Sequence, residues 1–176
     1  MSAVIGVDLS LTSTGMSDGA TTWTVTSKPA GRVLVWEIRE RLTALVREVV
    51  EGMAYPALVV LEGPSLGSAT PHTWDRAGAW WLLVDRLADM NVRVAVVPPS
   101  VLKKYATGRG NADKGAMADA AARRLPHVET NGQADRVDAA WLAALGIDHL
   151  GGPSHVSQSH REVLGKVAWP VARVVA

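Results

Sequence analysis

The sequence contains no cysteine. This absence excludes disulfides, thiolate catalysis and zinc-finger sites, and it fits a reducing compartment. Long apolar runs are also missing, because no stretch approaches the roughly 20 uninterrupted apolar residues of a membrane-spanning helix. The N-terminus, Met1-Ser2-Ala3-Val4, lacks the basic start and the cleavage site of a secretory signal. We therefore expect a cytoplasmic protein with no membrane partner.

The chain also has little net charge, a formal +1 at pH 7. The charge is unevenly placed, however: between Pro98 and Arg124 six basic residues stand against two acidic ones, a local balance of +4 that leaves −3 elsewhere. Such a cluster is either an ordinary solvated helix face or an electrostatic footprint for phosphate groups. The basic residues are Lys103, Lys104, Arg109, Lys114, Arg123 and Arg124.

The length and the apolar pattern indicate an α/β protein, since 176 residues suit one domain. Apolar runs predict strands over 4–7, 16–19, 21–26, 57–62 and 92–97, with a turn at 12–15. Helical spacing predicts helices over 33–50, 74–90, 100–106, 112–125 and 134–149. We expect a mixed five-stranded sheet, an antiparallel meander followed by parallel strands, flanked by helices within residues 1–150. Residues 151–176 form a predicted C-terminal arm, in which 163–175 fits a strand, a short helix or a partner-binding segment.

Four acidic residues stand at the ends of apolar elements. Asp8 ends the first strand, Glu62 ends the fourth, and Asp135 and Asp138 lie three residues apart on one face of the last helix. Singly, each has a simpler explanation as a turn residue or as an acid favoured at a helix N-terminus. Together they would repel one another unless cations intervened, and oxygen ligands favour Mg²⁺ or Mn²⁺. Two such ions about 4 Å apart are typical of phosphodiester hydrolysis.

A basic segment accompanies these acids. Gly108 and Gly110 flank Arg109 in a predicted loop that presents backbone amides. Lys114 follows in the first turn of the next helix, where phosphate groups are attracted. The segment is therefore a candidate phosphate-binding surface.

These stretches together resemble the RuvC group of Holliday-junction resolvases, within the RNase H-like superfamily, and especially its short bacteriophage members. The resemblance covers residues 3 to about 149. It is carried by Ile5-Gly6-Val7-Asp8 with Thr14-Gly15, by Leu61-Glu62, and by the helix start at 134–139. Its most specific part is Pro99 followed by Lys103-Lys104, the Gly108-Arg109-Gly110 turn and Lys114.

The resemblance implies an RNase H-like fold and a Mg²⁺-dependent (or Mn²⁺-dependent) endonuclease with two ions per site, which resolves branched DNA as a homodimer by paired nicks. Its products would carry 5′-phosphate and 3′-hydroxyl ends. It implies that the metal ligands are Asp8, Glu62, Asp135 and Asp138. It also implies that Lys103 and Lys114 lie near the scissile phosphate, with Lys104 and Arg109 among the DNA contacts.

The chain departs from the family pattern at two places. Asp8-Leu9-Ser10 stands where the family has Asp-Pro-Gly, and Ser65 and Leu66 stand where bacterial members place an aromatic residue for stacking at the opened junction. Trp74 is a candidate substitute for that aromatic residue. The apolar residues of the following helix, by contrast, we interpret as core or dimer contacts rather than base-stacking platforms: Trp80, Trp81, Leu83, Val84 and Leu87.

Two other functions remain open from the sequence. One is a non-catalytic RNase H-like module that binds DNA and in which the acids are vestigial. The other is an actin-like phosphotransferase, which also begins with an acid after an Ile-Gly-Val strand but needs a second lobe and an Asp-Gly-Thr loop that this chain lacks. The five histidines show no metal-ligand spacing, and we expect them at the surface or in the tail: His72, His127, His149, His155 and His160.

Overall fold

The computed structural model describes residues 4–28, 34–64 and 72–171. Its strands are β1 (Val4–Asp8), β2 (Ser13–Ser17), β3 (Thr22–Thr26), β4 (Leu58–Glu62) and β5 (Arg93–Val97). Its helices are α1 (Val35–Glu51), α2 (Thr73–Asp89), α3 (Pro99–Thr107), α4 (Lys114–Arg124), α5 (Ala134–His149) and α6 (Gln158–Arg161), which continues into a 3₁₀ turn, Glu162–Lys166.

The five strands form one mixed sheet in the order β3-β2-β1-β4-β5. β1 pairs antiparallel with β2 and parallel with β4, and β4 pairs parallel with β5. The predicted mixed sheet is therefore confirmed. Val7 lies beside Leu61 in the parallel β1–β4 pair, so the residues that follow them, Asp8 and Glu62, end neighbouring strands at the same edge.

Each face of the sheet carries its own apolar core, because successive strand residues point to opposite faces. Val4 and Val60 pack under α3, α4 and α5. Ile5 and Val59 pack under α1 and α2. No helix within the described ranges is long and apolar enough to cross a bilayer.

Two glycines let α5 lie directly on the sheet. A Cβ atom on Gly6 would stand 2.2 Å from the carbonyl oxygen of Ala139, and one on Gly15 would stand 2.0 Å from that of Asp135. Both distances are far below van der Waals contact. Only glycine fits at these two positions, and the backbone of α5 is thereby held against β1 and β2.

One strand differs from the sequence prediction. The second strand of the meander is displaced: β2 runs from Ser13 to Ser17 and pairs with both β1 and β3, whereas the sequence predicts a strand at 16–19. The turn predicted at 12–15, which contains Thr14 and Gly15, is wrong. Gly15 lies within the regular strand β2, where the lack of a side chain lets the backbone of α5 approach closely.

The C-terminal segment packs on the molecule through its short helices. Val163 and Val167 are buried in the same core as α3 and α5. Asp148, whose side chain is fully buried, forms an ion pair of 2.8 Å with Arg161. The sequence leaves a strand, a short helix or a partner-binding segment open for 163–175. The first residues of this range lie in the 3₁₀ turn, and residues 172–176 lie outside the described part.

Replacing Gly6 by alanine should lower the free energy of unfolding by about 3 kcal/mol, because the added methyl group must displace helix backbone. Urea denaturation followed by tryptophan fluorescence measures this change. Gly165→Ala is the matched control, since no heavy atom lies within 4 Å of its added Cβ, and its change should stay within about 0.5 kcal/mol. Equal stability of the two variants would contradict the close packing of α5.

Candidate active site

Asp8 and Glu62 lie side by side at the carboxyl edge of the sheet. Each carboxyl group affects the pKa of the other, and both side chains are half-buried. The Trp80 indole on α2 donates a 3.1 Å hydrogen bond to the Glu62 carbonyl oxygen. The end of β4 is therefore fixed by α2 as well as by its neighbouring strands.

α5 brings the other two predicted acids to this edge. Asp138 acts electrostatically on both Asp8 and Glu62, and Asp135 acts on Asp8 and Asp138. Asp135 is held from the sheet, since its carboxylate accepts a hydrogen bond from the Ser13 hydroxyl. The structure thus brings together all four acids that the sequence singled out, and it adds Ser13 as a support that the sequence analysis missed.

Burial, together with the neighbouring charges, raises the pKa of three of these acids. Burial, followed by the neighbouring Asp138 and Asp135 charges, raises the pKa of Asp8 to about 7. Burial and then the Asp8 and Asp138 charges raise the pKa of Glu62 to about 8. Burial also raises the pKa of Asp138 to about 6, even though Lys103 and Lys114 act in the opposite direction. Asp8, Glu62 and Asp138 therefore bind protons more tightly than ordinary carboxyl groups do.

Two of the predicted basic residues face the acids. Lys103 on α3 lowers the pKa of Glu62 and Asp138, and Lys114 at the start of α4 lowers that of Asp8 and Asp138. Both lysines line a hollow of about 240 Å³, whose walls are Glu62, Pro99, Lys103, Lys114, Met117, Ala134, Val137 and Asp138. A phosphate group in this hollow would meet both ammonium groups and the carboxylates.

The other two predicted DNA contacts lie farther out. Lys104 is exposed on α3 and lines no hollow beside the carboxylates. Arg109 is exposed and lines a separate hollow of about 410 Å³ with Arg123 and Arg124. The structure thus separates the predicted basic residues into an inner pair and an outer pair.

A second cleft, of about 440 Å³, opens from the carboxylates towards α2. Its walls include Asp8, Leu9, Ser10, Glu62, Gly63, Pro64, Thr73, Arg76, Ala77, Trp80 and Trp81. Trp80 and Trp81 meet edge to face, with 5.0 Å between ring centroids.

The aromatic and apolar residues that the sequence singled out on α2 differ in how far they are buried. Leu83 and Leu87 belong to the core, as expected, whereas Trp81 remains 65% exposed. Trp74 is exposed and does not line the cleft. Ser65 and Leu66 lie outside the described residues.

The donor chemistry of the acids fits a hard divalent cation. Carboxylate oxygens are the ligands that Mg²⁺ and Mn²⁺ prefer, and a cation would remove the mutual repulsion that now keeps protons on the group. Among the described residues, however, no group of three or more histidines and acids is already arranged to hold a metal. The number of ions stays a prediction.

No histidine lines this site. None of the five lines either hollow beside the carboxylates. His149 stacks on Trp169, and His160 is half-buried with its ring nitrogen on the Tyr105 carbonyl oxygen. His160 therefore lies in the C-terminal segment, as expected, but α3 partly covers its side chain.

Comparison with known proteins shows the fold. The sequence matches no known protein-family model, and no curated protein is recognisably similar to it. The structure is similar to that of Thermus thermophilus RuvC, with a TM-score of 0.60 at 18% identity, over 85% of this chain and 96% of that one. It is also similar to T. thermophilus RuvC in complex with Holliday junction substrate, with a TM-score of 0.63 at 18% identity, over 86% and 97%. The chain therefore has the RuvC, RNase H-like fold.

The raised pKa values predict how stability depends on pH. Asp8, Glu62 and Asp138 bind protons more tightly in the folded than in the unfolded chain, so their contribution to stability is lost as pH rises from about 4 to about 8. Mg²⁺ should replace the protons. It should therefore raise Tm more at about pH 8 than at about pH 5, as measured by thermal unfolding in EDTA and in millimolar MgCl₂.

Glu62→Gln is the control for this measurement, since it removes one of the titrating groups and one donor. In EDTA, the Tm of the wild-type chain should fall relative to that of Glu62→Gln as pH rises from about 5 to about 8, because only the wild-type chain then ionises a buried carboxyl group at this position. A pH-independent difference, or a Tm that Mg²⁺ leaves unchanged at about pH 8, would contradict the assignment.

Proposed function

We propose that the chain is a divalent-metal-dependent endonuclease that hydrolyses phosphodiester bonds in branched DNA and resolves four-way junctions by paired nicks. One observation carries the proposal: Asp8 and Glu62 at neighbouring strand ends meet Asp138 of α5, with Lys103 and Lys114 facing them. The RuvC fold supports it, because one of the similar structures is a RuvC bound to Holliday junction substrate.

The four acids are the proposed ligands of Mg²⁺ or Mn²⁺, two ions per site. When bound, such ions activate water and stabilise the leaving oxygen at phosphorus. The protein supplies the placement of the donors. Asp8 and Glu62 are fixed by the β1–β4 pairing, and Asp135 is fixed by Ser13.

The lysines have a distinct role in this proposal. Lys103 and Lys114 put two compact cations beside the carboxylates, where they stabilise the negative charge of the scissile phosphate and the charge that develops on it. Lys104 and Arg109 lie outside that hollow and would contact backbone phosphates farther along a DNA arm. The inner pair serves chemistry and the outer pair serves binding.

Paired nicks need two sites, and a symmetric homodimer provides them. The described surface has large exposed apolar side chains on the first two helices, as expected for a protein that buries them against a partner. Trp36 on α1 is 68% exposed and Trp81 on α2 is 65% exposed. We propose that the chain acts as a homodimer. Sedimentation equilibrium tests this directly, since the measured molar mass should be twice the 18.7 kDa of one chain.

A non-catalytic DNA-binding module is the second candidate. The observation that favours it is that the described histidines and acids form no group of three ready to hold a metal. Such a module would bind junctions with or without Mg²⁺ and would nick none of them.

Asp8→Asn should abolish cleavage of a four-way junction, lowering the rate by more than about a hundredfold, while junction binding in Mg²⁺ or Ca²⁺ persists. The substitution removes a charged donor without changing the size of the side chain. Cleavage of matched linear, forked and four-way duplexes with Mg²⁺, Mn²⁺ or EDTA, together with gel-shift binding, measures both effects.

Glu129→Gln is the control, because Glu129 is exposed in the loop between α4 and α5 and lines none of the hollows described above. It should cleave like the wild-type chain. Full cleavage by Asp8→Asn would refute the role of Asp8. Metal-insensitive binding by the wild-type chain without nicks in any branched substrate would favour the binding module instead.

A further inference from the structure

His160 and Arg161, two consecutive residues of the C-terminal segment, both act on Tyr105 of α3. His160 contacts its backbone, and Arg161 acts on its hydroxyl group through Asp148. The Nδ1 atom of His160 lies 2.8 Å from the carbonyl oxygen of Tyr105. Arg161 holds the buried Asp148 carboxylate with hydrogen bonds of 2.9 and 3.1 Å from its Nε atom, and the Tyr105 hydroxyl donates to the same carboxylate at 3.0 Å. Tyr105, which is fully buried, is therefore fixed through its backbone and through its ring.

The His160 contact lies at the C-terminal end of α3, where helix carbonyls lack partners within the helix. Arg124 donates to the Ala106 carbonyl oxygen at 2.9 Å, and the same Nη1 atom lies 2.9 Å from the His160 ring nitrogen. Because a guanidinium only donates and a carbonyl only accepts, that ring nitrogen can bond to only one of its two neighbours at a time. In either case the imidazole is held between α3 and α4.

The same imidazole packs on the residue that ends α3. Gly108 has a positive φ of 83°, and a Cβ atom there would stand 2.9 Å from Nε2 of His160. Gly108 leads directly into Arg109 and the loop towards α4. His160 therefore contacts both the end of α3 and the beginning of the basic loop.

The position of α3 decides where Lys103 points. α3 has only nine residues, so its placement depends on packing far more than on its own helical stability. Tyr105 follows Lys103 by two residues, which is about 200° around a helix, so the two side chains leave opposite faces. An anchor on Tyr105 thus fixes how far Lys103 extends towards Glu62 and Asp138.

We propose that His160 and Arg161 are positioning residues of the active site, which hold α3 so that Lys103 faces the carboxylates. The inference rests on the proposed nuclease function for its catalytic consequence, but its structural part stands on the contacts of Tyr105. It gives the C-terminal segment a role in catalysis without placing any of its residues at the substrate.

The test compares three substitutions at His160 in the full-length chain. His160→Ala removes the ring nitrogen that lies between the Tyr105 carbonyl oxygen and Arg124. His160→Asn places an amide nitrogen close to the position of Nδ1 and keeps a donor there, whereas His160→Gln keeps most of the bulk but moves the amide towards the position of Nε2. His155→Ala is the control, since the His155 ring packs on His127 with 5.0 Å between centroids and not on α3.

Two quantities are measured for each protein: amide hydrogen exchange of the α3 peptides, and the single-turnover rate of junction cleavage at saturating enzyme. His160→Ala should exchange faster in α3 and cleave about 10- to 100-fold more slowly, because small displacements of a positioned group cost that much. Asn should restore both quantities to within about threefold of wild type and Gln should not, while His155→Ala should leave both unchanged.

Unchanged exchange in α3, or unchanged cleavage despite faster exchange, would overturn the proposal. If His160→Ala does not fold, the contrast between Asn and Gln decides in the same way. If the wild-type chain cleaves no junction, the nuclease function fails, and hydrogen exchange alone decides whether His160 holds α3. Faster exchange of α3 in His160→Ala and His160→Gln, but not in His160→Asn, supports that structural part. Equal exchange in all three variants overturns it.

Discussion

The close contact between α5 and the sheet is the constraint on which the site depends. Gly6 and Gly15 leave no room for a side chain, so the backbone of α5 rests on β1 and β2. That contact sets the distance from Asp135 and Asp138 to the strand ends that carry Asp8 and Glu62. Any larger residue at either glycine would lift the helix and separate the acids.

Bringing four carboxyl groups together has an electrostatic cost. Burial and the neighbouring charges raise the pKa of Asp8, Glu62 and Asp138, and Lys103 and Lys114 offset part of the repulsion. A divalent cation at this site, as proposed, would relieve the repulsion by replacing protons on the carboxyl groups.

The sheet, most helix positions and the convergence of the four acids could be predicted from the sequence. They depend on local apolar patterns and on acids that stand at the ends of apolar strands or at the start of a helix. The sequence prediction misplaced β2, since a Thr-Gly pair looks the same in a turn and under a packed helix. Ser13 on Asp135 and His160 on Tyr105 could not be predicted, because each joins distant parts of the chain and neither leaves a periodic signal. Likewise, only the folded chain separates Lys103 and Lys114 from Lys104 and Arg109.

The central claim is that these converging acids hold divalent ions, and anomalous scattering from crystals grown with Mn²⁺ tests it most directly. The account predicts anomalous peaks about 2.0–2.2 Å from carboxylate oxygens of Asp8 and Glu62, with Asp135 or Asp138 completing the ligands. Crystals that contain Mn²⁺ at other surfaces but none beside Asp8 and Glu62 would contradict it.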